Sequence, residues 1–248
     1  MLSIQNINKT IKDKNIVDNI SFEVPLGCIS GLLGPNGAGK TTTFYIIAGL
    51  IKADKGSIFL ADENVSSFPM HKRSKIGIKY LPQEPSIFQN LSVYENLLGL
   101  AELSFKRKED IENFIAKSID EFNLSEILNQ KGRQLSGGQR RKVEIARTLA
   151  ANPKIILLDE PFAGIDPIAI DEIKQVLIKL KNKNIGILIT DHNVQETLAI
   201  TDKTYLMFEG NILKKGVPEE LAKDEMVRKV YLGQNFEFRK KNLEFNSK

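Results

Sequence analysis

The chain has 248 residues, 42% hydrophobic and 27% charged, an ordinary globular composition that allows one large domain or two small ones. Its single cysteine, Cys28, excludes an internal disulfide and a cysteine zinc cluster and suits a reducing cytoplasm. A formal charge of +4 is too weak to argue for binding to DNA or RNA, so no nucleic-acid partner is expected.

Met1 to Asn15 lacks the apolar core of a signal peptide. No apolar stretch approaches the ~18 residues a bilayer span needs, so any membrane role must be borrowed from partners. Ser21 to Val24 alternates like a strand, and Cys28 to Leu33 reads as a buried one. A helix is predicted over Thr41 to Leu50, then strands over Ser57 to Leu60 and Ile76 to Leu81. His71, in the polar run Met-His-Lys-Arg-Ser, reads as surface. From about Glu84 to Ala150 no strand signal appears, while Ile111, Phe114, Ile115 and Phe122 fall at helical spacing. Strands return at Ile155 to Leu158, Ile185 to Thr190 and Thr204 to Phe208. Glu209 and Gly210 then turn the chain into Asn211 to Lys214. After Pro218 a short helical tail carries Val227, Val230 and Tyr231 at a spacing suited to packing back on the core. Arg239 to Lys248 holds four basic residues against one acidic, and reads as a solvated terminus or, alternatively, as a weak contact for acidic headgroups. Short apolar strands alternating with helices define an α/β protein with a largely parallel sheet and a helical insertion.

Gly34-Pro35-Asn36-Gly37-Ala38-Gly39-Lys40-Thr41 fits GxxxxGK[ST] directly after an apolar strand and before a helix. Glycines here allow successive N–H groups to point at an anion, and the helix adds its positive dipole end. Lys40 is placed to reach the β- and γ-phosphates and the Thr41 hydroxyl to ligand Mg²⁺. The competing reading is a glycine-rich turn capping an ordinary helix. Ile155-Ile-Leu-Leu-Asp159-Glu160 is an apolar strand ending in acid, which delivers both carboxylates to the sheet's carboxyl edge. Asp159 is the candidate metal ligand, and Glu160 the candidate base for an attacking water. The alternative is an acidic pair capping a helix after Pro161. His192 follows the strand over Ile185 to Thr190 and suits contact with a γ-phosphate or polarisation of water, or else is a packed or capping residue. Gln83, at the end of the strand over Ile76 to Leu81, is a candidate metal and water ligand. Leu135-Ser136-Gly137-Gly138-Gln139 opens a helix with Val143, Ala146 and Leu149 on one face. Ser136 is a natural N-cap, and the two glycines are expected to leave the first N–H groups unobstructed. That makes a second, incomplete anion site, whose simplest use is to close over a nucleotide held by another copy.

With this last motif the chain resembles the ATP-binding cassette family from about Leu2 to Gly233. LSGGQ matches its signature, Gln83 its Q-loop, Asp159-Glu160 its Walker B motif, Ala163-Gly-Ile-Asp166 its D-loop and His192 its switch histidine. The resemblance implies a RecA-like P-loop NTPase core (1–83 and 150–216) with N-terminal antiparallel strands. It also implies a helical signature subdomain (84–149) and a C-terminal tail (217–248). It implies an ATPase with Mg²⁺ held by Thr41, Gln83 and Asp159, and nucleotide held by Gly34 to Lys40, Thr41 and Thr42. Ser136, Gly137, Gly138 and Gln139 would meet that nucleotide from a second, head-to-tail copy, with Asp166 crossing the interface. Two transmembrane subunits would dock in the groove from Gln83 to Leu97, with Phe88 as an apolar contact or else core packing. The chain would thus lie on the cytoplasmic face of the inner membrane. One position departs from the pattern: Ile11 stands where the family usually stacks an aromatic ring on adenine. Several phrases, among them Tyr80-Leu-Pro-Gln83-Glu-Pro-Ser-Ile-Phe88 and Val230-Tyr-Leu-Gly233, look like the cassettes of lipopolysaccharide exporters. Those of branched-chain amino-acid importers are the alternative, and a P-loop kinase or GTPase a remote one.

Overall fold

The computed structural model describes residues 1–238; the basic run from Arg239 to Lys248 lies outside them. In chain order the elements are β1 (Leu2–Ile11), β2 (Lys14–Val24), β3 (Ile29–Leu33), α1 (Lys40–Ala48), β4 (Lys55–Leu60) and β5 (Glu63–Asn64). Next come α2 (Met70–Ile76), β6 (Ile78–Leu81), α3 (Val93–Ser104), α4 (Lys108–Glu121) and α5 (Gly137–Leu149). The chain continues with β7 (Ile155–Asp159), α6 (Pro167–Asn182), β8 (Gly186–Thr190), α7 (Val194–Leu198), β9 (Lys203–Phe208) and β10 (Asn211–Gly216). It continues with α8 (Pro218–Lys223), α9 (Glu225–Val227) and a π-helical turn (Arg228–Leu232).

The central sheet runs β10-β9-β3-β8-β7-β6, parallel except for the β9–β10 hairpin. Its central strands β3, β8 and β7 are buried along their whole length because both faces are covered. In β7 the period of two sorts the residues: Ile155 and Leu157 join one core, Ile156 and Leu158 the other. The first core lies under a separate antiparallel sheet, β2-β1-β4-β5, and α1. The second lies under α5 and α6 and extends into the helical region of α3 and α4. Tyr205 fastens the two sheets, packing on Phe22 at 5.0 Å and donating its hydroxyl to the Glu23 carbonyl at 2.9 Å. Val227 is buried in a third cluster with Leu33 and Leu206, and Val230 and Tyr231 pack against it, as the tail's spacing predicted.

The predicted strands are present with small shifts at their ends, except that the one predicted from Ser21 begins seven residues earlier, at Lys14. One boundary differs for a clear reason. Ile76 closes α2 and does not open a strand, because Gly77 takes the left-handed conformation (φ 111°) and ends the helix before β6 begins. α2 and the whole of β1 carried no recognised signal. β1 has register shifts after Ile4, Ile7 and Lys9 and a left-handed Asn6, which break its alternation. His71 is exposed as expected, yet Arg73 in the same polar run is only 2% exposed. Its guanidinium donates to the carbonyls of Ile46 and Ile47 at 2.7 Å, of Phe68 at 2.8 Å and of Ser66 at 2.9 Å. It therefore satisfies the Ile47 carbonyl at the end of α1 and adds a second donor to that of Ile46, which also accepts the Gly49 N–H at 3.2 Å. Burial lowers the pKa of Arg73 to about 10, which leaves it charged at neutral pH.

Candidate functional site

The glycine-rich loop leaves β3 at its carboxyl end and runs into α1. Gly39 caps that helix with φ +103°, and a Cβ there would fall 2.4 Å from the Ile16 carbonyl oxygen, so only glycine fits. The loop is braced from behind: the Gly210 N–H of the β9–β10 turn donates to the Ala38 carbonyl at 3.1 Å. Lys40 is turned into the loop, its ammonium donating to the Gly34 carbonyl at 2.7 Å and to that of Pro35 at 3.0 Å. Burial lowers its pKa, while the nearby carboxylates Glu160 and Asp159 work the other way. Asn36, Gly37 and Thr41 face solvent, Pro35 and Thr42 are half-buried, and Thr43 donates back to Gly39 O at 3.0 Å.

Two strands away, β7 carries Asp159 to the same sheet edge, paired with Thr190 of β8. Asp159 is buried and accepts from the Tyr80 hydroxyl at 3.0 Å. Burial holds its pKa above the ordinary carboxylate value, against the lowering effect of the Tyr80 hydrogen bond. Glu160 follows in the left-handed region (φ 48°), with its N–H on the Thr190 carbonyl at 2.8 Å. One oxygen of Glu160 accepts from the Gln83 amide at 2.8 Å; the other lies 2.8 Å from His192 Nε2. Gln83, Glu160 and His192, from three separate strand ends, thus form one cluster, with His192 more than half exposed. The helix-capping alternative for Asp159 and Glu160 fails. The segment after Pro161 is a turn, and α6 begins only at Pro167, capped by Asp166 accepting from the Ala169 N–H at 3.0 Å.

Ser136 caps α5, accepting from the Gln139 N–H at 3.2 Å while the Gln139 side chain accepts from the Ser136 N–H at 3.0 Å. Gly138 also has a packing reason to be glycine. Gly138 is buried, and a Cβ there would lie 2.3 Å from that of Ala169, so the second glycine admits α6. Ser136, Gln139 and Asp166 share the wall of an open hollow of about 610 Å³. Behind the helix, Arg141 donates to the Pro82 carbonyl at 3.0 Å and pairs with Glu144 at 3.2 Å, both nearly buried. Glu144 in turn accepts from the Ser86 N–H at 2.6 Å. The signature helix is thereby fastened to the chain on both sides of Gln83. Phe88 is 50% exposed with the Arg147 guanidinium 4.9 Å from its ring centre, which overturns the core-packing alternative.

Ile11 is 42% exposed at the end of β1, and the Cys28 thiol is unpaired and partly buried. Among the described residues no cluster of three or more acidic, histidine or cysteine side chains could hold a metal by itself. Tyr80, Arg141, Glu144 and Asp191 were not singled out for the site. Arg141 and Glu144 carried one usable signal, opposite charges at i and i+3 on a helix.

A parallel sheet with a glycine-rich loop at one strand end and a buried Asp beside a Glu at another defines a P-loop nucleotide-binding domain. The added LSGGQ helix narrows the class to an ATP-binding cassette. Comparison with known proteins agrees: a family model described as ABC transporter matches residues 17–163. The lipopolysaccharide export system ATP-binding protein LptB of Haemophilus influenzae is 49% identical over 241 residues, covering 95% of this chain and 98% of that one. LptB of Escherichia coli K12 is 48% identical over 239 residues, with the same coverage. Among solved structures, the ADP conformation of MJ1267, an ATP-binding cassette of an ABC transporter, superposes with a TM-score of 0.86. It is 31% identical, and the match covers 94% of this chain and 99% of that one. The chain belongs to the ABC transporter family. No helix among the described residues is long and apolar enough to cross a membrane.

Proposed function

We propose that this chain is the ATP-hydrolysing subunit of a lipopolysaccharide exporter, working as a head-to-tail pair on the cytoplasmic face of two membrane subunits. The observation that carries the catalytic half is the Glu160 carboxylate, held between Gln83 and His192 at the edge where the phosphate loop ends. The identity to the two LptB proteins supports the cargo.

In this reading the loop from Gly34 to Thr42 wraps the triphosphate, and Lys40 exchanges its contacts with the Gly34 and Pro35 carbonyls for phosphate oxygens. Glu160 accepts the proton of a water whose oxygen attacks the γ-phosphorus as the bond to the β-phosphate oxygen breaks. His192 orients that carboxylate and water. The donor set of the Thr41 hydroxyl, the Asp159 carboxylate and the Gln83 amide oxygen is all hard oxygen and fits Mg²⁺. Bound there, the ion would neutralise charge on the phosphates. Ser136, Gly137, Gly138 and Gln139 close over the partner's nucleotide, and Asp166 borders the same hollow. Residues 1–83 with 150–216 form the nucleotide core, 84–149 the signature unit and 217–248 the tail. The hollow of about 220 Å³ lined by Met70, Leu100 and Arg147, beside exposed Phe88, suits a helix from a membrane subunit.

Glu160→Gln is expected to bind ATP, turn over at least about a hundredfold more slowly and run as an ATP-dependent dimer in size-exclusion chromatography. Near-normal turnover in that variant removes Glu160 from the role of base. Reconstitution with the membrane subunits that copurify tests the cargo. ATP-dependent release of lipopolysaccharide from vesicles is expected, and uptake of branched-chain amino acids in its place refutes the assignment.

A further inference from the structure

Glu160 and His192 lie on different loops, after β7 and β8, and both loops are turns. Glu160 also occupies left-handed backbone (φ 48°), a conformation a non-glycine residue holds only when its surroundings over-determine it. Besides the Glu160 N–H on the Thr190 carbonyl, the two turns share a residue used neither as base nor as ligand above. Asp191 is 3% exposed, and its two carboxylate oxygens are spent on opposite sides. One accepts the Phe162 N–H at 2.8 Å, two residues beyond Glu160; the other accepts the Asn193 N–H at 2.8 Å, immediately beyond His192. We infer that Asp191 is a positioning residue whose buried carboxylate fastens the Glu160 turn to the His192 turn and thereby holds carboxylate and imidazole in register.

The chemistry of the side chain supports this. Two backbone N–H donors converge from different loops, so the residue between them needs two acceptor oxygens and no donor. A carboxylate offers both oxygens, whereas the amide of the same length offers one acceptor and one donor. Burial raises the pKa of Asp191, and the charge of Glu160 acts in the same direction, while the Asn193 and Phe162 N–H bonds work against both. The buried guanidinium of Arg141 is the cation whose field reaches both Asp191 and Asp159. The far side of the clamp is anchored in turn. Asn193 caps α7 through the Glu196 N–H at 3.4 Å, and the fully buried Lys174 of α6 pairs with Glu196. The clamp therefore sits in a continuous polar seam between α6, whose cap is Asp166, and the turn that carries His192.

The inference rests on the catalytic reading of Glu160 and His192, and the experiment separates the two. Asp191→Asn keeps the volume but sets an amide donor against a backbone donor; Asp191→Ser removes one acceptor without that clash. In the full-length chain each is expected to lower kcat at least about tenfold. KM and nucleotide stoichiometry should change less than about threefold, since the phosphate loop is untouched. A general loss of folded protein would instead lower the stoichiometry. The wild-type chain supplies a second measurement that needs no variant: the Phe162 and Asn193 amides, both outside helices and strands, are expected to be protected in hydrogen exchange. Free exchange at either amide, or a folded variant with kcat within about twofold of wild type, overturns the clamp. Glu160→Gln assayed alongside tells the failures apart. If it is inactive while Asp191→Asn is normal, the clamp alone fails; if it is active, the site reading fails with it.

Discussion

Gln83 and Glu160, 77 residues apart in sequence, meet through a 2.8 Å hydrogen bond from amide to carboxylate. Gln83 opens the segment that reaches Phe88, and Glu160, directly after β7, is the candidate base. One contact therefore joins the proposed docking groove for the membrane subunits to the reacting end of the site. Arg141 and Glu144 make the same connection to the signature helix, so both nucleotide-facing elements are hydrogen-bonded to the groove segment.

Gly138→Ala tests the packing of that helix. The new methyl would sit 2.3 Å from the Ala169 Cβ, and α5 must lift away from α6 to admit it. A loss of ~1–3 kcal/mol in unfolding free energy is expected. ATP turnover should fall more than ATP binding, because the phosphate loop stays in place. Denaturant titration and steady-state hydrolysis check the two halves.

Arg73 closes the end of α1 far from the chemistry. Arg73→Met removes the donor to the Ile47, Phe68 and Ser66 carbonyls, while that of Ile46 keeps the Gly49 N–H, and is expected to cost about 3 kcal/mol by urea unfolding. Arg73→Lys should recover only part of this, since one ammonium cannot reproduce the planar fork. A variant as stable as wild type would show that water replaces the cap.

The tail carries a testable dependence on alkaline pH. Burial pushes the Tyr231 phenol from 10.0 up to about 12, opposed by a hydrogen bond from the Gly34 backbone. A folded pKa above the unfolded one gives stability that is complete below pH 10 and lost as pH rises through about 12. The stability difference between wild type and Tyr231→Phe should therefore shrink by roughly 2 kcal/mol across that window. Other buried phenols such as Tyr80 are common to both proteins and cancel. A difference that stays constant from pH 9 to 12 would contradict the burial of this group.

Ile11 bears on nucleotide choice. An exposed aliphatic side chain covers a ring face without the ~0.5–1.5 kcal/mol of aromatic stacking. Weak base discrimination is expected, with measurable GTP use, and Ile11→Tyr should raise the preference for ATP up to about tenfold. Competition between the two nucleotides checks this; a hundredfold preference for ATP in the unmodified chain refutes it.

Much of this protein was legible in local sequence, because its signals are local. Apolar runs marked the buried strands β3, β7 and β8; glycine spacing marked the phosphate loop, and a serine before Gly-Gly-Gln marked the start of α5. Each depends on backbone geometry within a few residues. What the tertiary structure alone decided depends on partners distant in the chain. Gly138 is glycine because Ala169 of another helix comes close, and Arg73 is buried because α1 ends beside it. Asp191 matters through the amides of two separate turns, and β1 is a strand because β2 and β4 pair with its irregular edge. A side chain's chemistry is written in the sequence, but the groups left for it to satisfy appear only when the chain has closed on itself.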